Sequence, residues 1–264
     1  MRDTPGWTHE RLGRARLYAC VDSRAQHGDL AEFLDEILQG GVDIVQLRDK
    51  SVSVADELAA LAVVRQRCLE HGALWAVNDR VDIALVAGAP IVHLGQSDMP
   101  VEVARHLLGP DVVIGRSTHS VQQAWQAAHD PEIDYFAVGP VWPTPTKPGR
   151  PGIGLDVVAA VAEAEWSQHK PWFAIGGVDS ETVGDVVGAG ASRVVVVRAV
   201  TQAASPAQAA QELRTAVAPA AADTAGMSRL DGADIADSAL TASAGAVLGG
   251  QKNPPESVRA GDAR

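Results

Sequence analysis

The chain has 264 residues, 46% apolar and 21% charged, which suits one large core or two modest ones and rules out a small disulfide-stapled domain. Its net charge of −11, from 22 basic and 33 acidic side chains, argues against a broad nucleic-acid or anionic-membrane surface. A small anionic ligand held by a local cation or metal stays compatible with that charge.

No run of about 18 apolar residues occurs, so no membrane span is expected. The first residues carry no apolar stretch with a small-residue cleavage site, so no secretory signal is expected. Two cysteines, Cys20 and Cys68, without partners at metal-ligand spacing, fit buried thiols in a reducing cytoplasm.

Short runs rich in Val, Ile and Leu recur at 17–21, 43–47, 74–77, 91–94, 112–115, 135–138, 172–175 and 193–197. Each is nearly continuous rather than alternating, the pattern of parallel strands covered on both faces. The first runs into Cys20-Val21-Asp22-Ser23-Arg24 without a GxGxxG turn, which disfavours an open doubly wound sheet. Behind it, Leu30, Phe33, Leu34, Ile37 and Leu38 form a helical stripe that stops at Gly40-Gly41. Ala55, Leu58, Ala59, Leu61, Ala62 and Val63 predict a second helix ending at Gly72, and another stop stands at Gly88. Val157, Val158, Val161 and Ala162 predict a helix after the sixth strand. Val183, Val186 and Val187 predict one after the seventh, ending near Gly190. A glycine-rich turn, Gly176-Gly177, follows the seventh strand, where parallel barrels commonly bind phosphate.

Composition changes near Pro219. Residues 219–264 hold no aromatic residue, few branched aliphatics and abundant Ala, Gly, Ser and Asp. Such a segment buries too little apolar area to offset the entropy of ordering it, so a disordered tail is expected. The alternative is a short Ala-rich helix around 231–246. The predicted fold is therefore α/β, a (β/α)8 TIM barrel over residues 1–218, ordered from about residue 11, with a disordered C-terminal tail over 219–264.

In such a barrel the C-terminal strand ends form the site. Gln46, Arg48 and Lys50 are spaced two apart and would point one way from an extended strand end, which suits a pyrophosphate. The plainer alternative is two surface cations paired to Asp49 and Asp56. Asp79 and Asp98 close adjacent strands, and two hard carboxylates without a Cys or His cage suit Mg²⁺. The alternatives are an Asp79–Arg80 pair and an Asp98 that caps a helix opening at Met99-Pro100. The loop at 143–149 could fold over the site, or be an ordinary Pro-rich surface loop. Gly176 and Gly177 permit close backbone approach to a phosphate, or simply a tight turn.

Six motifs in order carry a resemblance: Gln46 to Lys50 (QLRDK), Val77 to Arg80 (VNDR), His93 to Asp98 (HLGQSD), Gly115 to Ser120 (GRSTHS), Gly139 to Lys147 (GPVWPTPTK) and Ala174 to Val178 (AIGGV). Together they resemble the thiamine phosphate synthase (thiamine-phosphate pyrophosphorylase) family over about residues 15–215. That resemblance implies joining a hydroxymethylpyrimidine diphosphate to a thiazole phosphate, with Mg²⁺ and release of pyrophosphate. It implies that the motif Gln46, Leu47, Arg48, Asp49 and Lys50 holds the diphosphate, through Gln46, Arg48 and Lys50 above all. Asn78 would contact the pyrimidine substrate, and Ser117 and Lys147 would serve its diphosphate. Asp79 and Asp98 would hold the metal. Thr144, Pro145 and Thr146 would border the thiazole phosphate, with Gly177, Val197 and Arg198 completing its cradle. Arg48, Lys50, Ser117 and Lys147 form the implied catalytic set. Arg198 departs from the Ser common in the family, and the tail has no counterpart there. A dissociative path needs no general base, and His119 beside the Ser117 turn is read as packing as readily as chemistry. The implied partners are small-molecule substrates, with neither nucleic acid nor membrane, and a homo-oligomer is left open. The rival readings are a thiazole tautomerase and a non-catalytic barrel that binds phosphorylated ligands.

Overall fold

The structure, a computed structural model, describes residues 5–144 and 151–218. Eight parallel strands close into a barrel in strict chain order: β1 (Leu17–Val21), β2 (Ile44–Leu47), β3 (Leu74–Asn78), β4 (Ile91–Leu94), β5 (Val113–Thr118), β6 (Tyr135–Val138), β7 (Trp172–Ile175) and β8 (Val194–Val196). The sheet closes where β8 pairs with β1, Val195 opposite Tyr18. Chain contacts set Met1–Ala220 apart as one unit. The expected disordered tail at 219–264 lies outside the described residues. Among the described residues no helix is long and apolar enough to cross a membrane.

The helices are α1 (Pro5–Arg14), α2 (Leu30–Gln39), α3 (Val54–His71), α4 (Val81–Ala87), α5 (Val101–Leu108), α6 (Val121–His129), α7 (Gly154–Glu163), α8 (Val183–Gly188), α9 (Arg198–Thr201) and α10 (Pro206–Ala216). Gly72 and Gly88 end α3 and α4 in the left-handed conformation, as the sequence stops indicate. The stripe on α2 is the predicted one, with Phe33, Leu34, Ile37 and Leu38 buried. The helix predicted after the second strand is α3. Of the residues that predict it, Leu61 is buried and Leu58 and Val63 pack on the core, while Ala55, Ala59 and Ala62 face solvent, where alanine is common for its helix propensity alone.

Strand alternation sorts the core into two layers. Leu17, Ala19, Val21, Val45 and Leu47 point outward to the helices. Tyr18, Cys20, Ile44, Leu74, Tyr135, Phe173 and Val195 fill the barrel interior. The interior aromatics meet edge to face, Phe173 lying 5.6 Å from Tyr18 and 5.8 Å from Tyr135 between ring centroids.

Helix α1, absent from the sequence reading, lies across the starts of the strands. Its Leu12 is buried with the interior layer, and Trp7 packs on it. The Arg11 guanidinium donates to the Gly72 carbonyl just before β3.

Gly115 makes room for the Tyr135 ring. A Cβ there would overlap the phenol of Tyr135 across the β5–β6 pair. Gly115→Ala is expected to cost about 2 kcal/mol and to lower the melting midpoint by about 4–8 °C, read by calorimetry. An unchanged midpoint would mean that the ring has somewhere else to go.

Candidate active site

The C-terminal ends of the strands enclose a cavity of about 260 Å³. Gln46 from β2 and Asn78 from β3 stand on its wall, both buried. Ser117 and His119, from the end of β5 and just beyond it, line it beside them. Strand β5 runs to Thr118, three residues further than the apolar run predicts, so Ser117 sits on the strand rather than in a loop. Arg48 reaches the same cavity, and its Nε is buried without a hydrogen-bond partner. A guanidinium on a cavity wall with its buried nitrogen unbonded is a cation that an anionic ligand could meet.

A chain of polar groups crosses the barrel interior here, and its Tyr18 and His93 line the cavity as well. The Gln46 side-chain amide donates to the Tyr18 hydroxyl at 2.7 Å. The Tyr18 and Tyr135 hydroxyls are 3.1 Å apart. The Tyr135 hydroxyl is 3.0 Å from His93 Nδ1, and His93 Nε2 is 2.9 Å from Ser117 Oγ. Burial raises both phenols well above the ordinary tyrosine range, so each O–H is a standing donor. Sequence reasoning missed Tyr18, His93 and Tyr135 because they lie in apolar runs. Strand parity could have found them, since Tyr18 shares the inward parity of Cys20, which lies in register with Gln46.

The remaining predicted residues divide. Leu47 is buried in the outer core, turned from the cavity. Lys50 and Asp79 form a 2.6 Å ion pair at the rim, the lysine largely exposed. The alternative Asp79–Arg80 pair is not made, because Arg80 bonds Asp82 at 2.7 Å. Asp79 adopts φ +62, a left-handed turn that aspartate tolerates, with its N–H donating to the His93 carbonyl at 2.9 Å. Asp98 does not cap a helix: α5 opens after Pro100 without a side-chain cap, and the Asp98 carboxylate accepts from the Gly95 N–H at 2.6 Å.

Asp49 braces the loops. It accepts 2.6 Å bonds from the hydroxyls of both Ser23 and Ser51, and further bonds from their backbone N–H groups. Burial pushes its carboxyl up, but these four bonds outweigh burial and hold it down at about 2, against 3.8 unperturbed. A carboxyl depressed on folding contributes its full stability above the unfolded value and loses it as pH falls through the folded one. Asp49→Asn is therefore expected to flatten the dependence of stability on pH between 3.8 and about 2, measured as urea midpoints across that window.

Opposite Gln46, the turn after β7 carries Gly176 at φ +100 and Gly177 at φ +76. A Cβ on Gly177 would come within 2.8 Å of the Trp142 Cβ, so the turn leaves backbone, not side chain, beside the cavity. Thr144, Val197 and Arg198 complete that side. His119 Nδ1 donates to the Gly139 carbonyl, tying the β5 end to the loop after β6. Pro145, Thr146 and Lys147, and with them most of the 143–149 loop, lie outside the described residues.

Among the described residues no group of three or more His, Cys, Asp or Glu side chains is arranged to hold a metal. The donors at the rim are two hard carboxylates, Asp79 and Asp98, at the ends of neighbouring strands. That set suits Mg²⁺ shared with water and phosphate oxygens, and does not suit a closed protein cage.

A family profile described as thiamine monophosphate synthase matches residues 17–200. A thiamine-phosphate synthase from Acidothermus cellulolyticus is 56% identical over 210 residues, covering 80% of this chain and 98% of that protein. One from Mycolicibacterium smegmatis is 53% identical over 220 residues, covering 80% and 96%. Among solved structures, a thiamine phosphate pyrophosphorylase from Pyrococcus furiosus superposes with a TM-score of 0.68 at 32% identity, covering 80% of this chain and 97% of that one.

Proposed function

The chain belongs to the thiamine monophosphate synthase family, transferases of thiamine biosynthesis, and on that premise we propose how its barrel mouth carries out the condensation. The reading rests on Arg48, whose buried Nε has no hydrogen-bond partner, standing with Gln46, Asn78 and Ser117 on the wall of one cavity.

The reaction breaks a bond from the pyrimidine methylene carbon to diphosphate and forms one to the thiazole nitrogen. Negative charge builds on the leaving diphosphate as the first bond breaks. Arg48 and Lys50 sit at the end of one strand to meet that charge, and Lys147 adds a third cation in this reading. Lys50, on a flexible exposed stem, can swing from Asp79 to the diphosphate and free that carboxylate as a ligand. Asp79 and Asp98 would hold Mg²⁺, which supplies further charge stabilisation to the departing oxygens. The electron-rich pyrimidine supports a carbocation-like carbon, so the path is dissociative. The thiazole nitrogen then needs placement rather than deprotonation, and no side chain acts as general base. Gln46 and Ser117 join Arg48 and Lys50 on the diphosphate and Asn78 orients the pyrimidine, while Thr144, Pro145, Thr146, Gly177, Val197 and Arg198 hold the thiazole phosphate. The motif residues Leu47 and Asp49 serve through the backbone they fix. Buried Cys20 and Cys68, neither in a disulfide, suit a cytoplasmic enzyme.

The test is pyrophosphate release with both substrates, with and without Mg²⁺. Release that requires all three components supports the reading. Turnover of the thiazole alone, or binding without turnover, overturns it. A chain ending at Ala218 is expected to retain the activity, since residues 1–218 carry every residue assigned here.

A further inference from the structure

We propose that His93 is a positioning residue, and that the buried chain Gln46–Tyr18–Tyr135–His93 holds the Ser117 hydroxyl as a hydrogen-bond donor toward the cavity. The inference rests on the reading that Ser117 touches the pyrimidine diphosphate.

The direction of each bond follows from the donors available. Cys20 Sγ lies 3.5 Å from Gln46 Oε1 and can only donate to it, which turns the Gln46 nitrogen toward Tyr18. With its oxygen accepting from Gln46, the Tyr18 O–H donates to the Tyr135 oxygen. The Tyr135 O–H in turn donates to His93 Nδ1. Nδ1 is then a bare acceptor, so the ring proton sits on Nε2 and is given to Ser117 Oγ. Run the other way, the chain would deliver two donors to the Tyr18 oxygen and leave its own buried proton without an acceptor. Ser117 Oγ therefore accepts from His93, its own proton turns away from that ring, and the hydroxyl stands on the cavity wall with that proton to give. A hydroxyl whose proton faces a growing anionic charge stabilises it, whereas one whose lone pair faces it does not. No proton is transferred along the chain; it sets orientation only.

The test combines a spectroscopic and a kinetic readout on the full chain. ¹⁵N-edited NMR of the histidine rings, with the His93 signals identified by their loss in His93→Gln, should place the proton on Nε2. Tyr135→Phe removes the donor to Nδ1 and should lower kcat about tenfold while KM stays within about twofold. In a Ser117→Ala background the same Tyr135→Phe change should then alter kcat less than about twofold, since the hydroxyl it orients is gone. A proton on Nδ1, or a Tyr135→Phe loss that is the same with and without the Ser117 hydroxyl, overturns the positioning role. Full activity of Ser117→Ala overturns the role of Ser117 in the site itself. An inactive Ser117→Ala with a proton on Nδ1 leaves that role standing and sinks only the relay.

Discussion

Arg48→Ala is expected to lower kcat/KM for pyrophosphate release by about 10³-fold, with the loss mostly in kcat. The guanidinium lies at the wall of a cavity of about 260 Å³, and its Nε has no protein partner to return to when the ligand leaves. It is therefore already in place when charge develops, and little reorganisation is needed at the moment of bond breaking. Arg48→Lys keeps the charge but loses the planar fork, and is expected to recover about tenfold of the deficit, not the whole. Melting midpoints of both variants should stay near that of the parent, because the side chain makes no bond that folding needs. A loss confined to KM would show that Arg48 binds the ground state and transition state equally, and would remove it from the catalytic set.

The second large effect concerns the acidic rim. Asp98→Asn retains an oxygen to accept from the Gly95 N–H at its 2.6 Å bond, so the loop is preserved while the charge is removed. Turnover at fixed low Mg²⁺ is expected to fall about 10²-fold, equivalent to about 2.7 kcal/mol, with partial recovery as Mg²⁺ is raised. Turnover titrated against Mg²⁺ checks this. Unchanged turnover and unchanged Mg²⁺ dependence would end the metal assignment for Asp98. Asp79→Asn should behave alike, with a further signature: Lys50, deprived of its ion pair, should bind pyrophosphate no more weakly than before.

The barrel was legible because parallel strands buried on both faces must be apolar along their length, and all eight runs stand out for that reason. The boundaries failed where strands turn chemical. Arg116, Ser117 and Thr118 extend β5 although none is apolar: Ser117 has the inward parity of Val113 and meets His93, while Arg116 and Thr118 donate to the Gly95 and Ala137 carbonyls. Helix α1 was invisible because its packed face includes polar Thr8, and Trp7 and Leu12 alone supply its apolar contacts, too few for a periodic stripe. In the site, the motif residues that reach the cavity were found by their position at strand ends. Tyr18, His93 and Tyr135 were not, because each sits inside a mainly apolar strand run, and what unites them is closeness across the barrel rather than spacing along the chain. Lys50 was expected with Gln46 and Arg48 on one side, yet it turns to Asp79. A side chain beyond the last paired residue is no longer governed by strand alternation.

Helix α1 has a consequence for traffic. Among the described residues Leu12 and Trp7 cover one end of the barrel and Tyr18, Tyr135 and Phe173 fill its middle, so the cavity is reached from the C-terminal strand ends. Under the assignment proposed here the pyrimidine stands against the Asn78 wall and the thiazole phosphate against the Gly177 side opposite. Both substrates then come in over the same rim, and pyrophosphate and the joined product go out over it, so the traffic of four molecules shares one mouth.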